Sequence, residues 1–325
     1  SSDVCSSDLM VHRTHDPTFK FAFGSPREAA ELVRHVLPCH VCDALELDTI
    51  VRVSGSFVDT QLSERYSDLL FTVRSRSGSV FVYILIEHQS SNDADMPLRL
   101  LEYMVRIWTE QRRNEPGAGL RPIIPLLICH PVGGWTAPRR LDELFPGCPA
   151  ELRVFIPSFE VAVQDLGDLD DDEIKRWSIG ACQQLALWML RDARTTQRFR
   201  DHLPAWRDQF QAAAASPTGL EFLAVLFRYM MAVNEDLALT EIRARIIELA
   251  PAAENTLMTI AEQLLQQGRA EGRAEGRADM LERLLRSKFG ALTEQTRARL
   301  AQASVDELMR WAERLLAAAA LDEVF

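Results

Sequence analysis

A chain of 325 residues with 47% hydrophobic side chains is long enough for two domains, or for one domain with an extension, and apolar enough to bury a core. Its formal charge is −11, or −9 once the acids Asp3 and Asp8 are removed, which excludes tight nonspecific binding of nucleic acid through basic charge alone. No apolar run approaches the ~20 residues that a bilayer-spanning helix needs, so the expectation is a soluble, cytoplasmic protein with no membrane partner.

The chain opens with Ser-Ser-Asp repeated over residues 1–9, without the apolar core of a signal peptide. This stretch is similar to the translated read-through of a sequencing adapter and is set apart from the fold, Cys5 with it. His15-Asp16-Pro17 then reads as a helix start, with Asp16 as cap and Pro17 at the first helical position. Phe19, Phe21 and Phe23 read as core anchors. A second helix begins at Ser25-Pro26 and ends before Pro38. Cys39-His40-Val41-Cys42 has zinc-knuckle spacing, but no second Cys/His pair follows at the usual distance, so the five remaining cysteines read as reduced and mostly buried thiols. Residues 51–58 read as a strand leading into the centre of the chain.

That centre is residues 66–91. Two β-branched and aromatic runs are split by the polar turn Ser75-Arg76-Ser77-Gly78-Ser79, which argues for a hairpin. If Ser75 faces Val80, Asp68 lies directly across from Glu87. Alternation along the strand puts Gln89 on the face of Glu87 and turns His88 away. The second run is apolar on both faces until Glu87, as in a central strand covered by helices. Two carboxylates and an amide at one point suit a divalent metal such as Mg²⁺ or Mn²⁺, with the backbone carbonyl of His88 as a further ligand. The bland alternative is a strand-end carboxylate paired with an arginine or solvated.

Residues 97–113 read as an amphipathic helix with Leu98, Leu101, Val105 and Trp108 on one stripe. Arg99 and Tyr103, one turn apart, share another face. There they either contact and orient a phosphate, or pair with Glu102 and pack. Residues 122–130 form the next buried strand and complete a βββαβ series. A loop with a short helix at 139–145 follows, then an edge strand over 155–165. The run from Glu160 to Glu173 holds seven acids and no base and reads as a solvated loop and helix start. Helices are expected over 173–190, 195–214, 219–233 and 239–248, with Trp177, Leu185, Trp188 and Met189 as core candidates. The repeat beginning at Gly268, Gly272 and Gly276 reads as a linker or a self-associating helix, since each interior glycine costs about 1 kcal/mol in helix propensity. A helical hairpin closes the chain, with Gly290 as C-cap, Ser304 opening its second helix and Trp311 as anchor.

Several linked motifs resemble the recombination-promoting nuclease family, YhgA-like and transposase-like, within the PD-(D/E)XK nuclease superfamily. They are His15-Asp16-Pro17 with Phe19-Lys20-Phe21, Val36-Leu37-Pro38, Arg65-Tyr66-Ser67-Asp68, Ile86-Glu87-His88-Gln89-Ser90, and Met96-Pro97-Leu98-Arg99 running to Tyr103. The resemblance implies an α/β, restriction-endonuclease-like core, a mixed sheet flanked by helices, followed by a helical C-terminal region. It also implies a metal-dependent DNA endonuclease, with Asp68 and Glu87 binding Mg²⁺ or Mn²⁺, Gln89 helping to place the attacking water, and Asp16 and Glu31 as weaker candidates for an acid from the first helices. Gln89 stands where the superfamily has lysine and brings no positive charge to the transition state.

The expected organisation is a nuclease-like core over 10–165 and a helical extension over 166–255. A Gly-Arg-Ala-Glu segment over 256–280 and a small helical domain over 281–325 follow. DNA is the expected partner, with a homo-oligomer through the C-terminal helices. The competing classes are a nuclease-fold binding or assembly module without efficient chemistry, and a phosphoesterase acting on nucleotides or RNA.

Overall fold

The two apolar runs pair as a hairpin in the computed structural model, which describes residues 17–53, 69–77, 81–234, 236–318 and 320–325. The chain starts with helix α1 over residues 17–23, then α2 (Pro26–Val36) and the single turn α3 (Cys39–Cys42). Strands β1 (Leu45–Arg52), β2 (Leu69–Ser75) and β3 (Phe81–Gln89) follow. β2 and β3 are antiparallel, with Leu69 opposite Ile86 and Arg74 opposite Phe81, the register expected from the polar turn. Helix α4 (Met96–Asn114) carries the chain back to β4 (Ile123–Cys129), which lies parallel to β3. A short β5 (Ala162–Asp165) completes a mixed sheet in the order β1-β2-β3-β4-β5. β3 is its middle strand.

β1 lies earlier than residues 51–58. Leu45, Leu47 and Ile50 are its buried residues, and the break in alternation between Leu47 and Ile50 coincides with a register shift between Glu46 and Val51. Thr49 fills the irregularity, its hydroxyl donating to the Glu46 carbonyl at 2.7 Å and accepting from the Arg74 amide at 3.0 Å. A bulge hides the two-residue period by which a strand is recognised.

One face of the sheet packs on α4. Leu70, Tyr83, Leu85 and Leu127 meet Met96, Leu100, Tyr103, Met104 and Ile107. The buried stripe of α4 is therefore not the one through Leu98 and Val105, which are 45% and 49% exposed. α4 has apolar residues on two sides, and the side carrying Tyr103 docks. Arg121, after α4, donates to the Tyr83 hydroxyl at 2.9 Å and to both oxygens of Glu115 at 2.7 Å, fixing the far end of the helix beside β3.

The loops at the carboxyl ends of the strands are stitched by side chains. Asn92 donates to the Gly134 carbonyl and accepts from the amides of Thr136 and Ala137. Asp165 accepts from the amides of Trp135 and Gly167. Phe155 ends a 3-10 turn and is 79% exposed, so the edge strand is only four residues long.

The helical extension is more broken than its periodicity suggests. α5 (Asp171–Arg176) opens with a capping box between Asp170 and Glu173. It is separated from α6 (Ala181–Asp192) at Trp177, whose ring stacks on His35 at 4.8 Å. α7 (Thr196–His202) and α8 (Arg207–Ala214) are divided by a 3-10 turn containing Pro204. α9 (Gly219–Val233) and α10 (Leu239–Leu249) follow. Trp188 on α6 is fully buried and stacks on Phe199 and Trp206 with ring centroids 5.4 and 5.1 Å away.

The chain divides into two compact units, Ser1–Leu257 and Met258–Phe325. α11 (Glu254–Phe289) is helical through the glycine repeat. In the second unit, Leu281 and Leu285 join Leu300 of α12 (Glu294–Gln302) and Leu308, Trp311 and Leu315 of α13 (Val305–Ala317) in one core. Gly290 has φ +88°, the left-handed conformation of a helix end, and Ser304 forms a capping box with Glu307. Among the described residues, no helix is long and apolar enough to cross a membrane. Of the described cysteines, Cys129 alone is buried, Cys39 is exposed and the others are part-buried, which corrects the expectation of mostly buried thiols.

Replacing Trp188 with alanine removes the ring shared by α6, α7 and α8. The expected loss is about 3–5 kcal/mol in chemical denaturation; a loss under 1 kcal/mol would show that this stack does not hold the extension together.

Candidate active site

Alternation along β3 decides what its carboxyl end presents. Tyr83 and Leu85 pack against α4, so Glu87 and Gln89 point to the same face, while His88 points to the other. There His88 stacks between Phe19 of α1 and His130, with both centroid distances 5.1 Å. Glu87 is 1% exposed and Gln89 3%. The Gln89 amide Nε2 donates to Glu87 Oε1 at 2.7 Å.

The first turn of α4 supplies the cation. Arg99 Nη2 lies 3.5 Å from Glu87 Oε1, and Arg99 Nη1 donates to Asp93 Oδ2. Burial would lower the pKa of this guanidinium, but the Glu87 charge, Tyr103 and Asp93 outweigh it and hold the group above its usual value. It is cationic throughout the working pH range. Tyr103, one turn on, is buried against the sheet and interacts with Arg99.

Glu87, Gln89, Arg99 and Tyr103 are thus brought together. Arg99 pairs with Glu87 and Asp93 rather than with Glu102, and Glu31 pairs with Arg34 on α2 instead of approaching this point. Asp68 and Asp16 lie outside the described residues. The donors present are a carboxylate and an amide, hard oxygen ligands of the kind Mg²⁺ and Mn²⁺ prefer, so the set fits such an ion.

Two residues escaped the sequence reading. Asp93 lies six positions before Arg99, in a turn, and so outside the i,i+4 spacing used to find helical partners. Arg194, over a hundred residues downstream, donates through Nη1 to the Ser90 carbonyl at 3.0 Å and ties the helical extension to the end of β3. No local pattern in the sequence announces that contact.

A second cluster gathers Asp171, Asp192 and His202, with ligand-type atoms within 4.8 Å of one another. Its negative charge is already met. Arg191 donates to both oxygens of Asp192 at 2.7 Å and also to Asp171, and Arg198 lies 2.8 Å from Asp192. Trp206 Nε1 donates to Asp171 at 3.2 Å. A metal would have to displace two guanidinium groups, so the cluster acts as a brace across α5, α6 and α7.

The model described as "Putative transposase, YhgA-like" matches residues 13–219, well over half of the chain. The chain belongs to this YhgA-like transposase family. The recombination-promoting nuclease RpnA of Escherichia coli K12 is 26% identical over 272 residues, covering 82% of this chain and 89% of that protein. RpnD of Escherichia coli O157:H7, also named a recombination-promoting nuclease, is 26% identical over 256 residues, or 77% and 93% of the two chains. RpnE of strain K12, named an inactive recombination-promoting nuclease-like protein, is 29% identical over 260 residues, or 78% and 82%. No solved structure matches the chain. The relatives of this chain thus include proteins named as nucleases and proteins named as inactive.

Burial pushes the Asp171 carboxyl upward, but hydrogen bonds from Arg191 and His202 outweigh it and hold it below the ordinary carboxylate range. Its stabilisation is therefore present above about pH 4 and is lost as pH falls through the depressed value. Asp192→Ala would leave the Arg191 side chain, 1% exposed, without two of its four hydrogen bonds. It should destabilise the fold by about 3–5 kcal/mol in urea, with or without Mn²⁺. Stabilisation of the chelator-treated wild type by added metal, absent in Asp171→Asn, would argue instead for an ion site.

Proposed function

We propose that this YhgA-like protein is a metal-dependent DNA endonuclease that hydrolyses phosphodiester bonds in DNA recombination or in a mobile element. The observation that carries the reading is Glu87, buried at the end of the central strand, with the Gln89 amide and the Arg99 guanidinium directed at one of its oxygens. A carboxylate held there for stability alone would be better replaced by an apolar residue. Relatives named recombination-promoting nucleases support the same assignment.

In this reading Asp68, the residue before Leu69, joins Glu87 in holding Mg²⁺ or Mn²⁺. With that ion bound, the site gains a Lewis acid for the phosphate and a more acidic water. Gln89 orients the attacking water by hydrogen bonding. Arg99 binds the phosphate oxygens through its forked N–H groups, and Tyr103 steadies Arg99. Water adds to phosphorus and releases a proton to solvent, the P–O bond to one sugar breaks, and the departing alkoxide takes up a proton from solvent. Gln89 supplies no charge to this step, so Arg99 supplies the fixed cation.

A second reading is a catalytically weak or inactive nuclease fold that serves as a binding or assembly module. The neutral Gln89 favours it, as does the relative named inactive. In either case the C-terminal unit is proposed as a self-association element, because Met280, Leu284 and Met309 are exposed there at 61%, 47% and 50%. A strictly monomeric full chain in light scattering would remove that role.

Purified protein lacking residues 1–9 should nick supercoiled plasmid with Mg²⁺ or Mn²⁺. Asp68→Ala and Glu87→Ala, folded by circular dichroism, should each reduce the rate by at least the ~10–100-fold that loss of a residue supporting a metal ligand costs. Equal behaviour of all three proteins would leave the assembly reading in place.

A further inference from the structure

Asp93 is built into the turn between β3 and α4. Its Oδ1 accepts the Asp95 amide at 2.9 Å, and its carbonyl accepts the Met96 amide at 3.2 Å. Its second oxygen, Oδ2, takes Nη1 of Arg99, whose Nη2 lies 3.5 Å from Glu87. One guanidinium is therefore shared between a carboxylate at a strand end and a carboxylate in the following turn. The Asp93 and Arg99 side chains are 24% and 23% exposed, against 1% for Glu87. The pair forms the solvent-facing edge of the site.

We propose that Asp93 is a positioning residue that holds Arg99 against Glu87 at the place where a DNA phosphate binds. This rests on the nuclease reading above and adds a residue to it. An arginine side chain has four rotatable bonds and loses much of its freedom when it must present its fork in one orientation. An anchor already fixed to the backbone removes that loss before substrate arrives. Arg99 stands in the first turn of a helix whose start is set by the Asp93 turn, so the anchor and the anchored group move together. The neutral Gln89 raises the demand on this placement, because Arg99 then carries the charge that a lysine at position 89 would bring.

The test uses full-length protein and a short DNA duplex, with binding measured by fluorescence anisotropy in Ca²⁺ and nicking measured in Mg²⁺. Asp93→Asn retains an oxygen for the Asp95 amide and removes the charged grip on Arg99, so the turn is preserved. It should weaken duplex binding about threefold and slow nicking about tenfold, and Asp93→Glu should recover part of both. Arg99→Met should weaken binding about tenfold. The double variant should be no worse than Arg99→Met alone, because both changes act through one guanidinium. Mn²⁺ affinity, read by electron paramagnetic resonance, should fall less in Asp93→Asn than in Glu87→Ala, because Asp93 reaches the site through Arg99 and not as a ligand. Additive losses in the double variant, or Asp93→Asn binding and nicking like wild type, would overturn the proposal while leaving the nuclease reading standing. Wild-type protein that neither binds nor nicks the duplex would overturn both.

Discussion

Glu87 is a carboxylate carried to the end of the most buried strand in the sheet, and the arrangement around it follows from the need to compensate that charge. An ion of this size moved out of water loses several kcal/mol of solvation even after the protein relaxes. Here the compensation is local: the Gln89 amide comes from the same strand, two residues on, and the Arg99 guanidinium from the helix that follows. Both are set by the backbone. Alternation along β3 aims Gln89, and α4 must cross the same face to bring β4 parallel to β3.

α4 is held to β3 at both ends, which gives this compensation its rigidity. Arg99 and Glu87 join them at the carboxyl end of the strand, while Arg121 joins Tyr83 near its start. Between these ties lies an apolar seam of Leu85, Leu100, Tyr103 and Met104. The helix therefore has little freedom to slide or rotate. A guanidinium on its first turn is placed to within the slack of its own side chain, and Asp93 takes up that slack.

The parts legible in the sequence are those fixed by short-range rules. The Gly/Ser turn set the β2–β3 register, and the register with alternation put Gln89 beside Glu87 and turned His88 to Phe19 and His130. Features that failed to show depend on a broken period or a distant partner. The β1 bulge at Thr49 disguised the strand, and two apolar sides on α4 left its docking face undecided until the sheet was present. Asp93 and Arg194 reach the site from a turn and from the helical extension, at separations that no periodicity encodes.

Two Arg–carboxylate clusters in the same compact unit allow their roles to be distinguished by physical criteria. Around Asp192, both carboxylate oxygens are taken by Arg191, Arg198 adds a second cation, and the Arg191 side chain is 1% exposed. In such a cluster both oxygens of the buried carboxylate are already paired, and breaking it exposes an uncompensated buried charge. Around Glu87, the buried carboxylate shares a single arginine with Asp93, and that arginine keeps about a quarter of its surface in solvent. A phosphate can approach Arg99 from the solvent side without first dismantling the cluster. Full pairing of Asp192 suits the first cluster to bracing, and the solvent-facing Arg99 suits the second to the binding role proposed for it.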